Sequence, residues 1–168
     1  MKTLFLLRHA KSSWDDPSLP DHDRPLNERG RRAAAHIAAY IGEHAIRPEV
    51  VLCSTARRAL ESLEALSGMF AGSTGIQIER DLYLASARDL SARIGALSAR
   101  VASVMVIGHN PGMHEFAAEV AGSGPRLALL EEKFPTGALA VLEFDVEDWH
   151  LPPGTGRLRD FALPRDLE

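Results

Sequence analysis

The sequence predicts an α/β fold: one three-layer domain with a mainly parallel central sheet flanked by helices. Three observations support this. Short apolar runs alternate with segments of helical periodicity along the whole chain. The runs lack the polar-apolar alternation of a half-exposed strand, which suits strands covered on both faces. The chain has 168 residues, enough for a single domain over 1–168 without a disulfide or metal staple.

In chain order, the first strand is expected over residues 3–7. A polar, Pro-rich loop follows from Trp14 to Pro25. Ala34, Ile37, Ala38, Ile41 and Ala45 recur at helical spacing, and Asn27 stands where an N-cap belongs. A second strand falls at 50–53, followed by a helix over about 55–70 that turns Ala59, Leu60, Leu63, Leu66 and Phe70 inward, with Ser54 or Thr55 as its cap. Residues 76–78 form a weaker strand candidate. Ser86 and Asp89 have capping-box spacing at the start of a third helix that buries Leu90, Ile94 and Leu97. The third long strand is expected over 101–107. Asn110 as cap and Pro111 at the first helical position open a fourth helix, with Phe116, Ala117 and Val120 inward. Residues 138–144 form a further strand, and the tail after Asp148 is read as irregular with room for one more short strand.

Composition excludes several classes. The formal net charge is -4, whereas a general nucleic-acid binder needs a cationic excess. The apolar run at 3–7 is too short for a membrane span or a signal-peptide core and ends at Arg8. Cys53, the single cysteine, allows no internal disulfide, so a reducing cytoplasm is expected; inside an apolar strand it reads as core.

In open parallel sheets, ligands bind beyond the carboxyl ends of the strands. Arg8 and His9 follow the first strand; Ser54 follows the second, with Arg57 and Arg58 one turn on; Gly108, His109 and Asn110 follow the third. Guanidinium and imidazole groups crowded at one sheet edge repel each other unless an anion lies between them, and a phosphoryl group matches planar guanidinium donors. In such a pocket a neutral imidazole can attack phosphorus. His9 is the candidate nucleophile, one ring nitrogen held by a backbone carbonyl. Arg8, Arg58 and a protonated His109 would bind the equatorial oxygens. Asn110, Ser12 and Arg57 are the supporting candidates.

These residues also carry a family resemblance. Leu6-Leu-Arg-His-Ala-Lys-Ser12 resembles the signature of the histidine phosphatase superfamily, in its small SixA-like phosphohistidine phosphatase branch. Arg24-Pro-Leu-Asn-Glu-Arg-Gly30, Ser54 with Arg58-Ala59, Leu82-Tyr83, Gly108-His-Asn-Pro-Gly112 and Phe134-Pro-Thr-Gly137 continue the match in order. The resemblance implies a phosphoglycerate mutase-like fold and no cofactor or metal. It puts the nucleophile on His9, the phosphate-binding arginines on Arg8 and Arg58, and the second histidine on His109. Arg58 is preferred to Arg57 because it directly precedes Ala59. No motif places Glu79, Asp81 or Asp89 as a general acid, and the branch is similar in lacking an obvious one. A phosphohistidine leaves as neutral imidazole without that acid, whereas an alkoxide usually requires it.

The expected partner is therefore a phosphorylated protein or a small phosphorylated substrate, with neither nucleic acid nor membrane. Two competing readings are a broad small-molecule or Ser/Thr phosphomonoesterase, and a module that recognises phosphate without turnover. The short chain disfavours a mutase. A metal site on His9 and His109 is disfavoured because the arginines would repel a cation. His22, His36, His44, His114 and His150 read as surface or structural residues. Arg29, Arg31 and Arg32 read as a solvated face that could also guide an anionic substrate.

Overall fold

A computed structural model describes residues 1–168. The strands are β1 (Lys2–Arg8), β2 (Val50–Ser54), β3 (Gly75–Glu79), β4 (Ser103–Gly108), β5 (Ala121–Ser123), β6 (Leu139–Phe144) and β7 (Gly156–Ala162). The helices are α1 (Glu28–Glu43), α2 (Arg57–Ser67), α3 (Ala87–Gly95), α4 (Gly112–Val120) and α5 (Leu127–Glu132). All seven strands join one sheet in the order β3-β2-β4-β1-β6-β7-β5. Pairings are parallel except those of β6, which runs against β1 and β7.

The unbroken apolar runs are explained by the two faces of this sheet. Leu4 and Leu6 of β1, Leu52 of β2 and Val104 and Val106 of β4 join one core with Leu90, Ile94 and Phe116 from α3 and α4. Phe5, Leu7, Val51, Cys53, Met105 and Ile107 face the opposite core with Ile37, Ile41, Leu63 and Leu66 from α1 and α2. Successive side chains of a strand point to opposite faces, so a strand covered twice must be apolar throughout.

Local signals set two of the five helix starts. Asn27 accepts from the Gly30 amide at 2.7 Å, and Ser86 and Asp89 form a reciprocal capping box. Two expected caps are corrected. Helix α2 starts at Arg57 without a side-chain cap, because the Ser54 hydroxyl accepts from the Ala56 amide and turns toward His109. Asn110 does not cap α4; its amide nitrogen donates to the Phe134 carbonyl at 2.9 Å, and Pro111 takes the capping position. Strand β4 begins at Ser103 because the Val101 carbonyl is taken by Lys2 Nζ and the Trp149 indole. The tail contributes the seven-residue β7, while β5 and α5 had no counterpart in the sequence reading.

Two glycines permit close approaches that shape the sheet edge. A Cβ on Gly30 would lie 2.0 Å from the Lys11 carbonyl oxygen, and one on Gly112 would lie 1.9 Å from that of Ala85. Gly112 thereby lets the segment carrying Tyr83 and Leu84 press against the start of α4. Gly112→Ala should therefore lower stability by about 1–3 kcal/mol, since the obstacle is backbone and cannot rotate away. An unchanged urea midpoint would contradict this.

Candidate active site

Strands β2, β4 and β1 are neighbours, so the residues that follow them meet at one edge of the sheet. They open on a cleft of about 270 Å³ whose lining includes Arg8, His9, Arg24, Arg58, His109 and Asn110. His9 and His109 are 6% and 3% exposed, and their ring centroids are 5.1 Å apart.

Hydrogen bonding fixes the tautomers. Arginine can only donate. Arg58 Nε lies 3.3 Å from His9 Nε2, so that nitrogen accepts, and Nδ1 carries the hydrogen donated to the Ala10 carbonyl at 2.7 Å. Arg58 Nη2 lies 3.5 Å from His109 Nδ1, so His109 Nε2 donates to the Ser54 hydroxyl at 2.7 Å. Both rings are neutral. Burial, followed by the charges of Arg58, Arg8 and Arg24, pushes His9 down to about 4 against the raising effect of its Ala10 hydrogen bond. Burial, His9 and Arg58 push His109 down to about 3. His109 is neutral because a guanidinium already occupies the place where a proton would be stabilised; the protonated His109 expected from the sequence belongs beside bound phosphoryl oxygens.

Neighbouring groups hold this arrangement. Ser62 of α2 donates to the Arg58 carbonyl and accepts from the Ala10 amide, tying the nucleophile candidate to the helix that carries Arg58. Arg58 also donates to the Asp21 backbone carbonyl at 2.7 Å and its carboxylate at 2.9 Å. Tyr83 donates to the same carboxylate. Desolvation acts to raise the Asp21 carboxyl, but the bonds from Tyr83 and Arg58 outweigh it and hold the group below its ordinary value. Arg8 donates to the Phe134 carbonyl at 3.0 Å, while Gly137, in the left-handed region at φ 76°, donates to the Arg8 and His9 carbonyls.

The long loop after β1 supplies what the sequence reading missed. Its return brings in Asp21 and also Arg24, which is 6% exposed, donates to Ser12 at 2.5 Å and stacks under the exposed Trp14 ring. Arg24 Nη1 and Arg8 Nε are buried donors without a hydrogen-bond partner, and Arg24 Nε has only an ion pair with Asp21 Oδ1 at 3.4 Å. Such groups are costly unless a ligand completes them. The signal for Arg24 was present in the Arg24–Gly30 motif, but nothing marked Asp21 beyond its place three residues earlier.

Among the supporting candidates, Ser12 lines the cleft and orients Arg24, and Asn110 lines it with its amide nitrogen committed to Phe134. Arg57 is corrected: it pairs with Glu61 at 3.1 Å on the exposed face of α2 and does not line the cleft. Glu79 is occupied by Arg93, and Asp89 by its cap. The cleft lining contains no carboxylate.

Comparison with known proteins gives the family and the fold. Residues 4–84 match the family model of the histidine phosphatase superfamily, branch 1. An uncharacterized protein of Mycobacterium tuberculosis is 35% identical over 163 residues, covering 95% of this chain and all of the relative. The chain belongs to the histidine phosphatase superfamily. Within that superfamily, a candidate phosphohistidine phosphatase SixA from Agrobacterium tumefaciens superposes with a TM-score of 0.81 at 36% identity, over 97% of this chain and 98% of its own. A protein histidine phosphatase SixA complexed with tungstate superposes at 0.79 with 26% identity, over 99% of both chains. No helix is long and apolar enough to cross a membrane.

The depressed histidines set a pH dependence. Both rings titrate near 6.5 when unfolded and far lower when folded, so the unfolded chain binds more protons between these values. Stability should be full above about 6.5 and fall as the pH drops toward 4. His9→Asn, whose amide can still donate to Ala10, should flatten that slope in urea titrations across this range. An equal slope in both proteins would refute the buried neutral ring.

Proposed function

We propose that this histidine phosphatase superfamily member hydrolyses phosphohistidine on a protein by way of a phosphoryl group carried on His9. The supporting observation is a cleft with three guanidiniums, buried donors left without partners and no carboxylate in its lining, beside an imidazole whose Nε2 bears a lone pair. Tungstate, held by the SixA relative, is a tetrahedral oxyanion like the group proposed here.

In the first step His9 Nε2 attacks phosphorus as the bond to the substrate's imidazole nitrogen breaks. The leaving imidazole keeps the bonding electrons and departs neutral, because its distal nitrogen already carries a proton. Arg8, Arg24 and Arg58 take the equatorial oxygens, where charge spreads in the transition state. The Ala10 carbonyl stabilises the Nδ1–H as the ring becomes cationic. A bound phosphoryl dianion also favours a proton on His109, which would add a further donor. In the second step water attacks the phosphoryl group, inorganic phosphate leaves, and His9 returns to its neutral state. Asp21, held as an ionised carboxylate, is unsuited to protonating an alkoxide.

Accordingly, kcat/KM on a histidine-phosphorylated peptide should exceed that on the matching phosphoserine peptide by roughly 10²–10⁴, the usual worth of a general acid. His9→Ala should abolish turnover, and an acid-labile phosphoenzyme should be trapped in the wild type alone. Equal rates on both peptides would favour the phosphomonoesterase reading; tight phosphate binding with no turnover of an aryl phosphate at any pH would favour the recognition module. Arg24→Ala should reduce kcat by about a hundredfold, like the loss of one transition-state donor, while Arg57→Ala stays within about twofold. Equal effects of the two substitutions would remove Arg24 from the site.

A further inference from the structure

Beside the cleft lies a second, larger groove of about 590 Å³, and the two share Lys11 and Thr136 in their walls. Arg29, Arg32 and His36 lie along one face of α1; Lys133 comes from the end of α5 and Arg165 from the last turn of the chain. Five Lys and Arg side chains thus line the groove with a single acidic side chain, that of the last residue Glu168, on a protein whose formal net charge is -4. Arg32 is paired with Glu28 and Arg165 sits 3.8 Å from Asp166, while Lys11, Arg29 and Lys133 make no ion pair. The cluster is also locally unfavourable. Arg29 occupies the first turn of α1, where a cation opposes the helix dipole. Arg31, on the other side of the turn, instead donates to the Leu26 carbonyl and faces away.

We propose that this groove docks an acidic stretch of the protein whose phosphohistidine enters the neighbouring cleft. The proposal rests on the phosphohistidine reading above. The five cations are exposed and come from four separate segments, so they match carboxylates spread along a polypeptide rather than one chelated phosphate. The lining contains no Phe, Tyr or Trp, and His36 is its one aromatic ring, so it lacks the row of aromatic platforms on which successive bases of a nucleic acid stack. Continuity through Lys11 and Thr136 places the docked stretch beside the phosphoryl group.

The test combines binding with turnover. A fluorescent glutamate-rich peptide without phosphate should bind the His9→Ala protein, weaken as salt rises, and lose roughly tenfold in affinity to an added Arg29→Glu, Arg32→Glu, Lys133→Glu triple change. In the His9 enzyme the triple change should raise KM about tenfold for a phosphohistidine peptide with acidic flanks. The same peptide with neutral flanks and an aryl phosphate should be unaffected, which also reports an intact fold. The corresponding glutamine variant should fall between. Peptide affinity that does not distinguish wild type from triple variant would overturn the proposal. So would tripolyphosphate displacing the peptide at far lower concentration than a second glutamate-rich peptide, which marks a site for small polyanions. Charge-dependent binding with no phosphohistidine turnover would leave the groove standing and remove the reading of the cleft; turnover without charge-dependent binding would do the reverse.

Discussion

The Arg58 guanidinium, 4% exposed and wedged between two imidazoles, is the constraint on which the site depends. Arginine keeps its proton in proteins, so its charge is present whether or not a ligand is bound. Two facing rings must then stay neutral and offer lone pairs to it, which fixes both tautomers. One carboxylate, Asp21, compensates that charge, and Arg8 and Arg24 add two more guanidiniums nearby. Such an imbalance is expensive in a buried setting unless the missing negative charge arrives with a ligand. The stability lost to this arrangement is of the kind proteins concentrate at functional sites.

The scaffold converts sequence distance into contact. Because β4 lies between β1 and β2, residues 9, 58 and 109 meet beyond adjacent strand ends, and the parallel register carries Arg8 beside Gly108. The antiparallel β6 closes the other side: its approach through Phe134 and Gly137 takes hydrogen bonds from Arg8 and Asn110 and donates one to the β1 end. Neither Ser62 nor Tyr83 lines the cleft, yet Ser62 ties Arg58 to the segment of His9, and Tyr83 holds the Asp21 carboxylate that pairs with Arg58.

The doubly covered strands were legible in the sequence because continuous apolar runs have few other uses in a domain of this size. The meeting of Arg8, His9, Arg58 and His109 was legible because each ends a strand, directly follows one or opens the next helix. Strand β7 was obscured by its charged outer face, Arg157 and Arg159 against buried Leu158 and Phe161. Asn110 was misread because Asn-Pro before an apolar stripe is the same signal whether the amide caps the helix or reaches across to another loop. Asp21 was hidden in a polar loop, where local sequence says nothing about which residues fold back, and Arg24 was marked only as the first residue of a motif, with no sign of where its side chain points. The proton on His109 depends on charge that no local sequence signal reports: burial and the neighbouring guanidinium oppose it, and only an anion between the two would favour it.

Charge, finally, acts here on two length scales. A chain of net charge -4 repels an acidic partner at long range, but at physiological ionic strength that repulsion fades within about 8 Å. Inside that distance only the local surface counts, and around the cleft it is cationic from Arg58 through Lys11 to Arg29. The uncompensated charge of the buried site favours the phosphoryl group, whereas the exposed charge beside it can act only on whatever carries that group. A small phosphate ester would leave those outer cations idle; a phosphorylated acidic protein engages both sets at once.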